Sequence, residues 1–240
     1  MSAEESSTRH PSAYALHDTL DVARLETRLP TLLSVIAGMV DVIGFLSLGL
    51  FTAHVTGNLV VIAALVVRGG PPNIAQVLAV PVFIVAVGAV WLIARASDRR
   101  GPALVRPLLL VQFLLLTCVL TFSVTNDPAL KPHGLIATFV AMIAVSAMAS
   151  QFVLLRLAVP GAPSTGVMTG NLTSTVLSLL DGLPRNQPLM EGPSGRWKKT
   201  LSLVVGFFTG CVAGAAAVSL LGDWAWSLPV VLAAAAVVLR

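Results

Sequence analysis

One carboxylate stands out in the sequence because it lies within an apolar stretch, where burying a charge is energetically unfavourable. Asp41 sits near the middle of a strongly apolar stretch, whereas the other acidic residues lie in the N-terminal tail, in loops or at the ends of such stretches. Burying a carboxylate in hydrocarbon costs at least about 2.5 kcal/mol. Helical spacing places small residues beside it, so Asp41 is expected to point into a helix bundle. It is either a proton-coupling, cation-coupling or solute-binding group, or a hydrogen-bonded packing residue.

A tripeptide of Thr, Gly and Asn follows Asp41 and recurs in the second half of the chain. The members of the two triplets are Thr56, Gly57, Asn58, Thr169, Gly170 and Asn171. Thr and Asn side chains can accept hydrogen bonds from the free N–H groups of a helix's first turn, and Gly lets another backbone come close. Two such helix starts at membrane depth would favour an anionic or dipolar solute. The alternative is a packing junction that binds nothing.

Other polar residues accompany the triplets. His54 lies just before the first triplet, where it would act as a gate or proton relay, or else cap or pack near a helix end. Gln151 takes the place of Asp41 in the second half, as a ligand group or as a hydrogen bond between helices. Arg156 lies near the end of its apolar stretch and is expected to snorkel to the interface rather than pair with Asp41.

The sequence carries no motif for covalent or metal chemistry. It contains no hydrolase nucleophile elbow, P-loop, zinc motif or pair of catalytic carboxylates. Cys118 and Cys211 lie inside apolar stretches without CxxC spacing, as small hydrophobic residues do. We therefore expect no enzyme activity, no catalytic residue, no cofactor and no metal site.

The composition places these residues in a membrane. Hydrophobic residues make up 56% of the chain and charged residues 11%, against roughly 25% charged in a soluble domain. Apolar stretches of spanning length, without the alternation of a barrel, predict an all-α fold, a polytopic transmembrane helical bundle. The net charge of +4 comes from Lys and Arg in short loops, so no nucleic-acid partner is expected. The expected partners are the bilayer and an unidentified small solute, and a homo-oligomer stays open.

Helix-breaking and polar residues divide the chain into eight apolar segments. The predicted segments are 30–50, 52–67, 74–96, 107–125, 135–159, 165–180, 201–221 and 224–239. The second and sixth are short and polar near their starts, which makes them poor lipid-facing spans. Residues 1–29 are assigned to a polar cytoplasmic tail, and residues 30–240 to a single transmembrane domain.

The triplets recur at the same place in two similar arrays, which predicts an internal repeat. The repeats are assigned to residues 30–125 and 135–240, and residues 38–49 correspond to 147–158. A stripe of glycines in the seventh segment is typical of helix packing or dimerisation. The glycines expected at helix contacts are Gly38, Gly44, Gly206, Gly210 and Gly214.

Loop charges bear on the topology, because cytoplasmic loops are enriched in Lys and Arg. If both TGN segments enter and leave on one side, nearly all Lys and Arg collect on the side of the N-terminus. If both cross, the basic residues divide more evenly. The sequence therefore favours six full spans plus two short re-entrant or broken TGN helices, with inverted repeats and a cytoplasmic N-terminus. A conventional seven- or eight-span bundle is the alternative.

These motifs also carry a family resemblance. The stretch from Gly38 to Asp41, the first triplet with Leu59, the later Gln151 and the second triplet resemble the YoaK family of bacterial integral membrane proteins. The similarity covers nearly everything after the tail. It implies a multi-pass protein of the bacterial inner (plasma) membrane, in a family whose domain has no assigned function.

Two functions are consistent with the sequence. The leading hypothesis is a small-solute secondary transporter or channel whose site lies where the two TGN helices meet, beside Asp41 and Gln151. The alternative is a non-transporting membrane scaffold or accessory protein that acts through partners at its basic loops. A polar, wet cavity around Asp41 would favour transport, and a dry, packed core there would favour the scaffold.

Overall fold

The computed structural model describes residues 13–70, 73–97, 99–131, 134–159, 161–181 and 196–239, with the backbone alone for residues 13–27 and 196. All regular elements of these residues are helices. The α-helices are α1 (Ala13–Leu48), α2 (Gly57–Arg68), α3 (Ile74–Ala96), α4 (Val105–Asn126), α5 (Leu135–Ala158), α6 (Met168–Asp181), α7 (Arg196–Leu221) and α8 (Ser227–Val238). Short 3-10 turns precede α4, α5 and α8.

Each predicted apolar segment overlaps one of these α-helices, so the all-α class is confirmed. Five stretches of the described residues are long and apolar enough to cross a membrane. They are Arg28–Leu48, Ile74–Ala96, Gly101–Asn126, Leu135–Ala158 and Trp197–Val238, the last of which holds both α7 and α8. The chain is therefore a helical membrane protein, and the short helices α2 and α6 lie outside these five stretches.

The first helix begins earlier than the sequence analysis expected. α1 starts at Ala13, so residues 13–29 of the predicted polar tail are helical, and residues 1–12 lie outside the described residues. Ala, Leu and Arg recur in residues 13–29, and these residue types favour helix over other backbone conformations. Pro30 lies within α1 without ending it, as prolines do in helices supported by their neighbours.

α1 and α7 pack closely through glycines and run parallel. Gly206 faces Thr31 near the start of the contact, and Gly214 faces Met39 farther along both helices. A Cβ at Gly38 would collide with the backbone of α7, and one at Gly210 would collide with the backbone of α1. Small residues on both partners let the two backbones touch, as in other membrane helix pairs.

α4 and α5 form an antiparallel pair. Phe122 near the end of α4 meets Phe139 near the start of α5, with ring centroids 5.4 Å apart. Gln112 earlier in α4 donates a hydrogen bond to Gln151 late in α5. The turn between them lies beside the turn between α7 and α8, since α4 also contacts Gly222–Trp226 and the carboxyl group of Asp127 lies near that of Asp223.

These contacts fix the relative direction of α1 and α5. α1 runs parallel to α7, and α7 ends at the turn that holds Asp223, beside the start of α5. α5 therefore runs against α1, and the late residue Gln151 accordingly meets the early residue Leu33. The spanning parts of α1 and α5 are 67% and 72% buried, against 17% for α3, so these two helices form the centre of the bundle.

The chain between α1 and α3 leaves and returns at the same end of the molecule. Asn73, just before α3, donates from its side chain to the carbonyl oxygen of Leu48 at 3.3 Å. Gln76, in the first turn of α3, donates to the carbonyl oxygen of Gly49 at 2.8 Å. The start of α3 is thus tied to the end of α1, and α2 lies in the segment between these two points.

Candidate functional site

Asp41 organises the break between α1 and α2. Its Oδ1 accepts hydrogen bonds from the backbone N–H groups of Thr52 at 2.8 Å, Ala53 at 2.9 Å and His54 at 3.3 Å. The Thr52 hydroxyl donates to the carbonyl oxygen of Val40 at 3.0 Å. Asp41 is only 4% exposed. The carboxylate therefore holds the segment that follows α1 folded back alongside α1, at the level of Asp41.

Gly44 makes room for this return. A Cβ at Gly44 would lie 2.7 Å from the Thr52 methyl carbon, closer than side chains pack. Gly44 was expected at a contact between helices, but it contacts the returning loop instead, since the nearest neighbours of its Cβ position belong to Leu50 and Thr52. A larger residue here would push the loop N–H groups away from Asp41.

His54 completes the site by binding the second carboxylate oxygen. Its Nδ1 lies 2.8 Å from Asp41 Oδ2. Its other ring nitrogen, Nε2, is buried and has no hydrogen-bond partner among the described residues. The ring packs edge-on against Phe207 with centroids 4.9 Å apart, and the side chain is 27% exposed. A buried carboxylate is thus joined to an imidazole that keeps one unpartnered nitrogen.

The first triplet acts through Asn58 rather than through a helix cap. Asn58 is fully buried, accepts from the backbone N–H of Phe51 at 2.9 Å and donates to its carbonyl oxygen at 2.8 Å. Thr56 is exposed and its side chain makes no capping bond, so the predicted cap is wrong here. The reason is that Gly57, Asn58 and Leu59 already donate their N–H groups to backbone carbonyls of the preceding turn. Gly57 packs against the Phe51 ring.

The second half of the chain makes a matching break with different chemistry. Gln151 donates to the Thr165 hydroxyl at 3.1 Å and to the carbonyl oxygen of Leu33 at 3.0 Å. Its Oε1 accepts from Gln112 at 2.7 Å. Asn171 donates to the carbonyl oxygen of Ser164 at 2.8 Å, whereas Thr169 and Gly170 are exposed.

The two helix breaks share a threonine but differ in their titratable side chains. Thr52 and Thr165 stand at the same spacing before their triplets, and each is bonded to the helix that precedes its break. At the position of His54 the second copy has Val167, and the contact that Asp41 makes with Thr52 has its counterpart in the contact of Gln151 with Thr165. The second break therefore contains no titratable side chain at either position.

The structure does not gather both triplets into one cluster. Asp41 and His54 form one group, and Gln151 with Gln112 and Thr165 forms another beside Leu33. Leu33 and Asp41 lie roughly 12 Å apart along α1 at 1.5 Å per residue. α2 packs against α3, and α6 packs against α7. Each break folds back along its own preceding helix, which keeps the two groups apart.

Sequence reasoning missed Thr52, Thr165 and Gln112. The equal spacing of the two threonines from their triplets was a usable signal, since it is visible in the sequence. Gln112 gave none, because a lone glutamine in an apolar helix does not reveal its partner. Among the described residues, no group of His, Cys, Asp and Glu side chains could hold a metal ion.

The fold and these breaks define a class: a helical membrane protein with two matched helix breaks, one of which carries a carboxylate–imidazole pair. A family model matches residues 29–239, and the family is described as a protein of unknown function (DUF1275). The chain belongs to this family. The membership is consistent with the resemblance to the YoaK family, although the match does not carry that name. No curated protein and no solved structure matches the chain.

Proposed function

We propose that the protein is a secondary transporter of a small solute, coupled to protons through Asp41 and His54. The comparison of the two breaks carries this proposal. The second break is built from Gln151, Thr165 and Asn171, without a carboxylate or an imidazole. Such a break therefore does not need a titratable pair, and a proton-handling role accounts for the pair in the first one.

The geometry supports a simple proton exchange. When Asp41 is ionised and His54 is neutral with its proton on Nδ1, Nδ1–H donates a hydrogen bond to Asp41 Oδ2, and the buried Nε2 is an acceptor without a partner among the described residues. A proton that arrives at Nε2 turns the ring into an imidazolium, whose charge the carboxylate balances. The pair then changes from net charge −1 to zero while Oδ1 keeps its bonds to the loop. Release from Nε2 restores the first state.

The topology that suits this function has six spans and two re-entrant helices, α2 and α6, in inverted repeats. Three observations support it: α1 and α5 run in opposite directions, α3 starts beside the end of α1, and the α1–α7 pair has a counterpart in the α3–α5 pair. Inverted repeats with broken helices are common in secondary transporters.

The remaining features of the proposal follow from loop charge and from the resemblance. Basic residues such as Arg99 and Arg100 favour a cytoplasmic position for the loop between α3 and α4 and for the N-terminus, in the bacterial cell that the resemblance implies. The membrane is then the inner (plasma) membrane. The proposal needs no enzyme activity, cofactor or metal, and it leaves a homo-oligomer open.

A second function, a non-transporting scaffold, is favoured by one observation. Asp41 is 4% exposed, and all three bonds to its Oδ1 come from the backbone of the returning loop. A carboxylate used only to hold a loop would look the same. Under this alternative His54 contributes packing and one hydrogen bond, and its protonation has no consequence.

The discriminating variant is His54→Val, which installs the residue of the second break. Val167→Ile, at the equivalent position of that break, is the matched control. Cells that express each form are compared with cells lacking the protein by untargeted measurement of solutes inside and outside. Transport predicts solute differences for the wild type and Val167→Ile that His54→Val abolishes at equal abundance.

The scaffold predicts a different pattern. No solute would then change with the wild-type protein, or the change would persist unaltered in His54→Val. A direct measurement complements the comparison: proteoliposomes with an entrapped pH-sensitive dye should show solute-dependent proton movement with the wild type and not with His54→Val.

A further inference from the structure

A pocket opens where α3 ends and α4 begins, away from both helix breaks. Its volume is about 370 Å³. Its lining includes Trp91 and Arg95 from α3, Arg100 and Leu104 from the connection to α4, and Leu157 from the end of α5. Leu104 is buried and forms an apolar floor, while both arginines are exposed at the rim. The pocket therefore combines a cationic rim with an apolar base.

Both arginines are held in place by contacts with their described neighbours. The Arg95 guanidinium lies over the Trp91 ring, 5.2 Å from its centroid. Arg100 donates from Nη1 to the carbonyl oxygens of Ser97 at 2.7 Å and Arg99 at 2.8 Å. Neither arginine forms an ion pair with a carboxylate in the part of the chain that the structure describes. The remaining guanidinium N–H groups are available to an anion.

The position of the pocket identifies the source of the anion. The pocket lies at the end of α3, an apolar stretch of spanning length. Trp91, Leu92 and Ile93 are exposed by 43%, 59% and 55%, so an apolar surface borders the cationic rim. Trp and Arg together at a helix end are typical of the membrane interface. A ligand here can place a phosphate on the arginines and hydrocarbon on the helix.

We infer that this pocket binds the phosphate of an anionic phospholipid headgroup, with acyl chains lying against the exposed apolar side of α3. Basic pockets between transmembrane helices bind such headgroups in other proteins. A guanidinium fork matches phosphate oxygens in geometry as well as in charge. The inference is independent of proton coupling and requires only that α3 spans the membrane.

The test measures lipid retention by the purified full chain with native mass spectrometry. Phosphatidylglycerol and phosphatidylcholine of equal chain length are added in turn. The pocket variant is Arg95→Gln/Arg100→Gln. The matched control, Arg106→Gln/Arg156→Gln, removes the same charge from exposed positions on α4 and α5 at the same end of the molecule. Thermal unfolding in detergent verifies that both variants are folded.

The expected result is preferential retention of phosphatidylglycerol by the wild type and the control, with at least a fivefold loss in the pocket variant. Arg95→Lys/Arg100→Lys, which keeps the charge, should retain more phosphatidylglycerol than the Gln pocket variant but less than the wild type. Equal loss in both Gln variants, or equal retention of the two lipids by the wild type, overturns the inference. Full displacement of phosphatidylglycerol by millimolar inorganic phosphate also overturns it, because the pocket would then serve soluble phosphate. If Arg95→Gln/Arg100→Gln does not fold, Arg95→Lys/Arg100→Lys takes its place, and retention of phosphatidylglycerol equal to that of the wild type then overturns the inference.

Discussion

Asn58 and Asn171 play the same structural part in the two halves of the chain. Each donates from Nδ2 to the backbone carbonyl seven residues earlier, Asn58 to Phe51 and Asn171 to Ser164, at 2.8 Å in both cases. This bond ties the start of each short helix to the chain that leads into it. The last residue of each TGN triplet therefore shapes a turn of the backbone, whereas both threonines face outward.

The first prediction compares these two asparagines. Asn58→Ala removes two hydrogen bonds, one donated by the backbone N–H of Phe51 and one accepted by its carbonyl oxygen. Asn171→Ala removes one bond to the backbone carbonyl of Ser164. A buried polar group left without a partner costs about 1 to 3 kcal/mol. Both variants should be less stable than the wild type, Asn58→Ala more so. Thermal unfolding of the purified protein in detergent measures this, and equal stability of all three forms would contradict it.

The second prediction concerns the contact between α1 and α7. A methyl group at Gly210 would collide with the carbonyl oxygen of Val35, so Gly210→Ala must force the helices apart. Overpacking of this kind costs about 1 to 3 kcal/mol or more. Gly88→Ala is the matched control, because Gly88 lies within α3 and its Cβ would meet nothing within 4 Å.

The control separates packing from helix propensity. Alanine is a better helix former than glycine by about 1 kcal/mol, so Gly88→Ala should be neutral or slightly stabilising. Unfolding midpoints and the yield of folded protein give the comparison. A Gly210→Ala protein as stable as Gly88→Ala would refute the described contact.

These features differ in how far the sequence could predict them. Asp41 and the glycine stripe were visible because the cost of a buried charge and the spacing of small residues are local properties of a helix. The bonds from Asp41 to the loop were not visible, because they depend on how the chain folds back after α1. The pairing of Gln112 with Gln151 likewise depends on the register of two helices, which the pattern of apolar residues does not fix.

The third prediction tests the proposed topology by labelling. In a background without Cys118 and Cys211, single cysteines replace Arg99, between α3 and α4, and Asn126, at the end of α4. If the short helices are re-entrant and the N-terminus is cytoplasmic, an impermeant thiol reagent should label position 126 in intact cells and position 99 only after lysis. Labelling of position 99 but not of 126 in intact cells would reverse this orientation.

The last prediction separates the two roles that the structure gives to Asp41. Asp41→Ala leaves three backbone N–H groups of the returning loop without an acceptor, and each costs about 1 to 3 kcal/mol if it stays buried. Asp41→Asn keeps an oxygen for these N–H groups, and its amide can donate to His54 Nδ1 in the other tautomer. Thermal unfolding should therefore show a large loss for Ala and a small one for Asn.

Transport discriminates where stability does not. Asn at position 41 carries no negative charge, so a proton taken up by His54 would leave an unbalanced positive charge in the site. Proton-coupled solute movement in proteoliposomes should accordingly disappear in Asp41→Asn even though the protein is folded and abundant. If Asp41→Asn moves solute as well as the wild type does, Asp41 serves only to hold the loop, and the scaffold becomes the better account because its sole requirement at this position is a hydrogen-bond acceptor.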